Sequence, residues 1–162
     1  MKTSFLIVIL ATLFFSCKKD DKNSDRIVNG VNVNVATSSF NTYRTQGLTG
    51  HPSVNAVTWN DTLSLAAYNF AKAKTEDTNT PSNIYFLSTG QMILDFPDLL
   101  NYSKNANFAL YYGYPAETDV TTVINAGFAA TDETILNGLM NPNAKQFGLG
   151  QFGGKWFLIM SN

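Results

Sequence analysis

The strongest constraint on the fold sits at the end of the chain. Gln146 to Phe152 and Lys155 to Met160 are apolar-rich runs joined by Gly153-Gly154, and glycine supplies the positive φ values that a two-residue hairpin turn requires. A turn of that length fixes the register. Leu149 lies opposite Leu158 and Phe147 opposite Met160 on one face, with Gly150 opposite Phe157 and Gly148 opposite Ile159 on the other. Both faces are apolar. A sheet with one wet face would alternate apolar with polar residues, so this hairpin needs helices on both sides. The expected fold class is α+β: an α/β/α sandwich with a small antiparallel sheet between helices. Trp156 and Phe157 are expected on opposite sides of the sheet, and Gly148 and Gly150 permit close helix approach on the Phe157 side.

The remaining sequence supplies the covering elements. Ile27, Val28, Val31, Val33 and Val35 alternate with asparagines as an extended segment. Phe40 and Tyr43 then fall at helical spacing after Thr37-Ser38-Ser39, so a short first helix is expected to start there and end near Gly47. Asn60-Asp61 caps a helix expected over 61–75, in which Leu63, Ala66, Ala67, Phe70 and Ala71 share one face. Residues 76–107 carry Pro81, Gly90, Pro97 and many Asn and Ser, and read as loop with a short helix near 98–102. Phe108 to Tyr112 reads as a strand, followed by a turn at Gly113 to Pro115. Val120, Val123, Ile124, Gly127 and Phe128 form a second amphipathic stripe, with Glu117 and Asp119 at its start where the helix dipole favours anions. Thr131 is placed to cap a last short helix carrying Ile135, Leu136 and Leu139, which stops at Asn141-Pro142.

The chain divides into address, tether and one domain. Lys2 precedes the apolar run Phe5 to Phe15, which is shorter than the roughly 20 residues a membrane-crossing helix needs and matches a secretory signal. Phe14-Phe15-Ser16-Cys17 resembles a bacterial lipobox in the relaxed form of Bacteroidetes lipoproteins, which implies cleavage before Cys17 and a lipid on its sulfur. An ordinary signal with an incidental cysteine is the alternative. Lys18-Lys19-Asp20-Asp21-Lys22-Asn23-Ser24-Asp25 contains no apolar residue to pack, as expected of a disordered tether, and its acidic pair resembles the surface-export signal of that phylum. The expected organisation is a signal peptide over 1–16, a lipid-anchored tether over 17–26 and a domain over 27–162. The protein is then an outer-membrane lipoprotein facing the periplasm or the medium, with the membrane as its partner through Cys17. The 162 residues, 44% apolar, suffice for one domain with a true core. A net charge of -1 without a basic block argues against nucleic-acid binding. One cysteine and one histidine exclude a disulfide framework and any site that needs two imidazoles.

The domain's local wording resembles the CAP superfamily, the cysteine-rich secretory, antigen 5 and pathogenesis-related 1 proteins with the SCP-like fold. Asn41-Thr-Tyr-Arg44-Thr-Gln-Gly47 resembles that family's N-x-x-R-x-x-G opening. Val57-Thr58-Trp59-Asn60-Asp61-Thr62-Leu63-Ser64-Leu65-Ala66-Ala67 resembles its L-x-W-N-x-x-L-x-x-A-A stretch, and Asn141-Pro142 through Phe147-Gly148-Leu149-Gly150, closed by Gly154-Lys155-Trp156, its N-P-x-F-x-x-I-G-V-G ending. Tyr112-Gly113-Tyr114-Pro115 sits between them. The resemblance spans about residues 37–160 and is faint over 76–107. It implies a cleft in which many members hold two histidines and one or two glutamates that bind zinc or another divalent ion. At those positions this chain has Ser88, Phe108, Thr134 or Ile135, and Thr131. No cofactor is therefore expected.

The other polar residues carry little signal of a site. His51, in a Gly-His-Pro turn, reads as an exposed loop histidine, and Glu76-Asp77 and Asp132-Glu133 as helix-end carboxylates. No serine sits in a nucleophile elbow. The aromatic group Phe108, Tyr111, Tyr112 and Tyr114 reads either as strand core and turn packing or as a stacking platform in the remains of the cleft. The candidate ligand-binding residues are Ser88, Phe108, Tyr111, Tyr112, Tyr114 and Thr134. The expected function is non-catalytic binding of an unidentified small molecule, glycan or protein by a lipid-anchored envelope protein. The alternative is an envelope hydrolase acting on polysaccharide or peptide through a non-family active site.

Overall fold

The computed structural model describes residues 25–76, 85–87, 106–113 and 118–162. Their elements, in chain order, are β1 (Ile27–Val28), β2 (Val31–Asn32), α1 (Val33–Gln46), β3 (Thr58–Trp59), α2 (Asp61–Glu76), β4 (Tyr85–Leu87), β5 (Ala106–Gly113), α3 (Val120–Phe128), α4 (Glu133–Leu139), β6 (Gln146–Phe152) and β7 (Lys155–Ser161). One sheet runs β3-β6-β7-β5-β4, and β1 and β2 form a separate small hairpin.

The terminal hairpin adopts the register set by its glycine turn. Gly153 and Gly154 have φ of 54° and 77°, and the pairs Phe147 with Met160, Gly148 with Ile159, Leu149 with Leu158 and Gly150 with Phe157 form as expected. Both faces are covered, so the α/β/α sandwich holds. On one side Phe147, Leu149, Trp156, Leu158 and Met160 join a core with Phe40 of α1, Ile124 and Phe128 of α3 and Leu139 of α4. Phe40 stacks on Phe147 at 4.7 Å between ring centroids. On the other side α2 lies across β6 and β7, and Phe70 stacks on Phe157 at 5.6 Å. The sheet is not wholly antiparallel. β3 pairs with β6 in parallel at Thr58 with Gln146 and Trp59 with Phe147.

α2 packs on its strand with little between the two backbones. A Cβ added to Gly150 would sit 2.1 Å from the Tyr68 amide nitrogen, and one added to Gly148 would sit 2.2 Å from that of Ser64. The same approach brings the buried Ser64 hydroxyl to the Leu149 carbonyl, to which it donates at 2.9 Å. Among the described residues this edge of β6 has no strand partner beyond Phe147, and other elements meet some of its polar groups. Asn60 N–H donates to Phe147 O and Gln151 N–H donates to Asn29 O at 3.1 Å. The Asn29-Gly30 turn that supplies this acceptor has φ of 51° and 79°, the two positive values of a type I′ hairpin. The N-terminal hairpin thus covers an edge that would otherwise be a template for pairing.

Four local expectations are corrected. Val33 and Val35 are helical, not extended, because Asn32 caps α1 by accepting from Val35 N–H at 3.1 Å. That places the helix start ahead of Thr37-Ser38-Ser39 and turns Val33 and Ala36 into the buried side. Tyr85–Leu87, expected as loop, forms β4 on the free edge of β5. The expected short helix at 98–102 lies outside the described residues. Asp132, not Thr131, caps α4 by accepting from Thr134 N–H at 2.8 Å, since a carboxylate next to the first turn is the stronger acceptor. Asp25 and Arg26, expected in the tether, contact the domain: Asn32 donates to Asp25 at 2.9 Å, and Arg26 pairs with Asp61 at 2.6 Å. Helix α2 (Asp61–Glu76), the Gly47 stop of α1 and the buried stripe of α3 follow the sequence reading, and Asp119, expected in the first turn of α3, is its N-cap.

Gly150→Ala is expected to destabilise the domain by about 3 kcal/mol or more, at or beyond the upper end of overpacking costs, because backbone and not a flexible side chain blocks the methyl. A shift of the urea midpoint at unchanged slope checks this, and an alanine variant as stable as the parent would contradict the close packing of α2.

Candidate functional site

The side of the sheet that carries α1, α3 and α4 is organised by Arg44. Val33, Ala36, Phe40 and Arg44 form the buried stripe of α1, so the guanidinium is carried into the interior by the same periodicity that buries the apolar residues. It is fully buried, and no acidic side chain pairs with it among the described residues. It donates instead to three carbonyls: Nε to Asn55 O at 3.1 Å, Nη1 to Leu139 O, and Nη2 to Asn141 O at 3.0 Å. Leu139 carries the last carbonyl of α4, where partial negative charge collects, and Asn141 lies in the turn just after the Met140 cap. Burial pulls the pKa of this group down from its usual range, yet a guanidinium stays charged at neutral pH. Arg44 therefore ties α1, the loop before β3 and the Asn141-Pro142 turn together.

Between that loop and α4 lies a hollow of about 460 Å³, whose lining includes His51, Ser53, Glu133, Asn137, Met140 and Pro142. Gly47 and Gly50 have φ of 78° and 82°, and Leu48 and His51 exchange backbone hydrogen bonds at 2.8 and 2.9 Å. The tight reversal lays the imidazole against α4. His51 is thus not an exposed loop residue: its side chain is 10% exposed, with Nε2 3.2 Å from Glu133 Oε2. Glu133 is a helix-end carboxylate as expected, but it also reaches this ring. The pair can orient one polar group of a ligand. It lacks the third ligand that a catalytic metal requires, since no three His, Cys, Asp or Glu side chains come together among the described residues.

The candidate ligand residues are placed as follows. Thr134 is exposed in the first turn of α4, beside Glu133, and Ile135 is buried in the core. Neither presents a metal-binding nitrogen at this position. Phe108, Tyr111 and Tyr112 lie on β5, in register with Met160, Phe157 and Trp156 respectively. The register puts Tyr111 in one alternating set of positions and Phe108 and Tyr112 in the other. Ser88, Tyr114 and Cys17 lie outside the described residues. The sequence reading missed the burial of Arg44 and the pairing of His51. For Arg44 the signal was its place on the apolar stripe of α1. For His51 there was none, because its partner lies 82 positions further along the chain.

No family model matches the chain, and no curated protein matches it. Solved structures do. A cysteine-rich secretory protein from Staphylococcus aureus superposes with a TM-score of 0.51 at 17% identity over 80% of this chain. This chain spans only 37% of that protein's length. An outer surface protein from Borrelia burgdorferi superposes with a TM-score of 0.52 at 13% identity, covering 80% of this chain and 90% of that one. At such identities the likeness establishes the architecture alone, a CAP-like α/β/α sandwich.

Arg44→Met is expected to cost about 3 kcal/mol or more, because charge-assisted hydrogen bonds to three carbonyls are lost and the Leu139 carbonyl is left buried. Arg44→Lys should recover only part of it, since a point ammonium cannot span the three acceptors. Denaturant unfolding of both variants checks the order.

Proposed function

We propose that this chain is a lipid-anchored envelope protein whose CAP-like domain binds a ligand or partner without catalysing a reaction. The observation that carries the reading is the chemistry at the ligand position of α4, where Thr134 is exposed and Ile135 is buried. Ser88 and Phe108, at two further positions of the resemblance, likewise offer neither imidazole nor carboxylate. With only one histidine in the chain, the donors that offset dehydration of a divalent cation are not assembled there. An apolar residue at 108 and hydroxyls at 88 and 134 suit an uncharged ligand better than a metal ion.

The anchor is supported by the apolar run ending in Ser16-Cys17 and by the charged segment after it. Asp25 and Arg26 are already tied to the domain, which leaves a short polar span between the lipid and the folded body. A second reading, an envelope hydrolase, draws on the His51–Glu133 pair. In that case hydrolysis of an envelope polysaccharide or peptide would be lost in His51→Ala, whereas the binding reading expects no turnover in either protein.

Metabolic labelling with palmitate is expected to mark the protein, and Cys17→Ala should abolish both the label and its membrane fractionation. Unchanged labelling in that variant would remove the anchor from the reading. For the cleft, Ser88→Ala is expected to leave zinc affinity unchanged. Micromolar zinc binding that disappears in Ser88→Ala would instead restore a metal site.

A further inference from the structure

The described residues contain two tryptophans with different fates. Trp59 donates its indole N–H to Asp61 Oδ1 at 2.8 Å. Trp156 is 3% exposed, and its Nε1 finds no acceptor among the described residues. An unmet buried N–H costs on the order of 1–3 kcal/mol and is rare in folded proteins. The Trp156 side chain lines a hollow of about 350 Å³ between the N-terminal hairpin and the start of α3, together with Ile27, Val35, Asp119, Val120 and Gln151 among others.

The wall of this hollow restricts what it accepts. The Thr122 hydroxyl and amide donate to Asp119 at 2.7 and 3.0 Å and hold its carboxyl below the usual range, so an anion at the rim meets a negative charge. The start of α3 is therefore no anion site, despite its dipole. A ligand must instead offer an acceptor to the indole N–H, a donor to the Asp119 carboxylate, and carbon surface to Ile27, Val35 and Val120. Hydroxyls both accept and donate, and a pyranose ring carries them around an apolar face. The volume is at the small end for ligand pockets, which favours one ring over a chain. We propose that this hollow binds a neutral hexopyranose unit, with one hydroxyl accepting from Trp156 Nε1–H and another donating to Asp119.

Nε1 itself has no exposed surface, so a ligand in the hollow meets it only where the lining yields. The parts of the wall able to yield are Ile27, 61% exposed, and the flexible side chain of half-buried Gln151, the cross-strand neighbour of Trp156. The inference gives the binding reading a ligand class at one place, and it depends on neither Cys17 nor Ser88. Its failure would leave the labelling and zinc results intact.

The test uses the 15N-labelled protein, in which the two indole resonances separate the site from its internal control. Methyl α-glucopyranoside, methyl α-mannopyranoside, methyl β-galactopyranoside and N-acetylglucosamine are titrated to about 50 mM, well above the roughly millimolar Kd that one small ring can reach. At least one should move the Trp156 resonance saturably downfield and leave that of Trp59 in place. Trp156→Phe, which also assigns the peak, should weaken binding by up to about tenfold, the worth of one hydrogen bond. Should that variant fail to fold, Asp119→Asn, which keeps the capping acceptor, should weaken it severalfold. The proposal is overturned if none of the four sugars moves the Trp156 peak, or if the variants that fold bind as tightly as the parent.

Discussion

The fold depends on the contact between the backbone of α2 and the backbone of β6. Gly148 and Gly150 remove the side chains that would hold a helix at ordinary distance, and the Ser64 and Tyr68 amides occupy the space so released. The approach has two consequences. It buries Phe157 and Ile159 completely under α2, closing the second face of the sheet. It also brings Ser64 close enough to donate to Leu149 O, so the helix itself satisfies a polar group on a strand edge that has no strand beside it among the described residues. Asn29 meets the same edge by accepting from Gln151 N–H and donating to Ser64 Oγ at 2.9 Å. The N-terminal hairpin is in this way part of the body of the domain and not an appendage to it.

The opposite layer is fixed by a different interaction. There the helices are kept apart by large side chains, with Phe40 between Phe128 and Phe147, and a single buried guanidinium sets the position of the polypeptide around them. Three carbonyls from two separate segments converge on Arg44. A cation buried without a carboxylate partner among the described residues is tolerable because each carbonyl contributes a dipole and one, that of Leu139, belongs to a helix end. This anchoring holds the loop 48–54 against α4, and with it the His51–Glu133 hollow. The geometry of the candidate site thus descends from Arg44 of α1, which bonds Asn141 O between Met140 and Pro142 of the hollow's lining and accepts from Val54 N–H.

Legibility differed between fold and site for a physical reason. The register of β6 and β7 was readable because a two-residue turn leaves one pairing and the period of two assigns every face. α2 and α3 were readable because cap and stripe agree. The start of α1 was misplaced because the valines at 33 and 35 prefer strand locally, and only the Asn32 cap and the core position of Val33 overrule them. β4 was missed since a three-residue strand has too short a pattern to stand out from a loop and exists through its pairing with β5. In the site, Thr134 and Ile135 could be placed at the start of a helix from sequence, but their exposure and burial could not be separated until the helix was set against the sheet.

The sequence by itself determined the two-sided apolar hairpin, its glycine face, the Asn60-capped helix α2 and the scarcity of imidazole and thiol, since each rests on residues close together in the chain or on composition. Tertiary structure decided what meets across long separations: that Arg44 ends on the carbonyls of Leu139 and Asn141, that His51 lies against Glu133, and that the Trp156 indole is buried with no acceptor among the described residues while that of Trp59 has one. Local propensity carries no record of such meetings. They arise when layers pack, and the energy of a buried polar group depends on the few atoms that packing leaves within its reach.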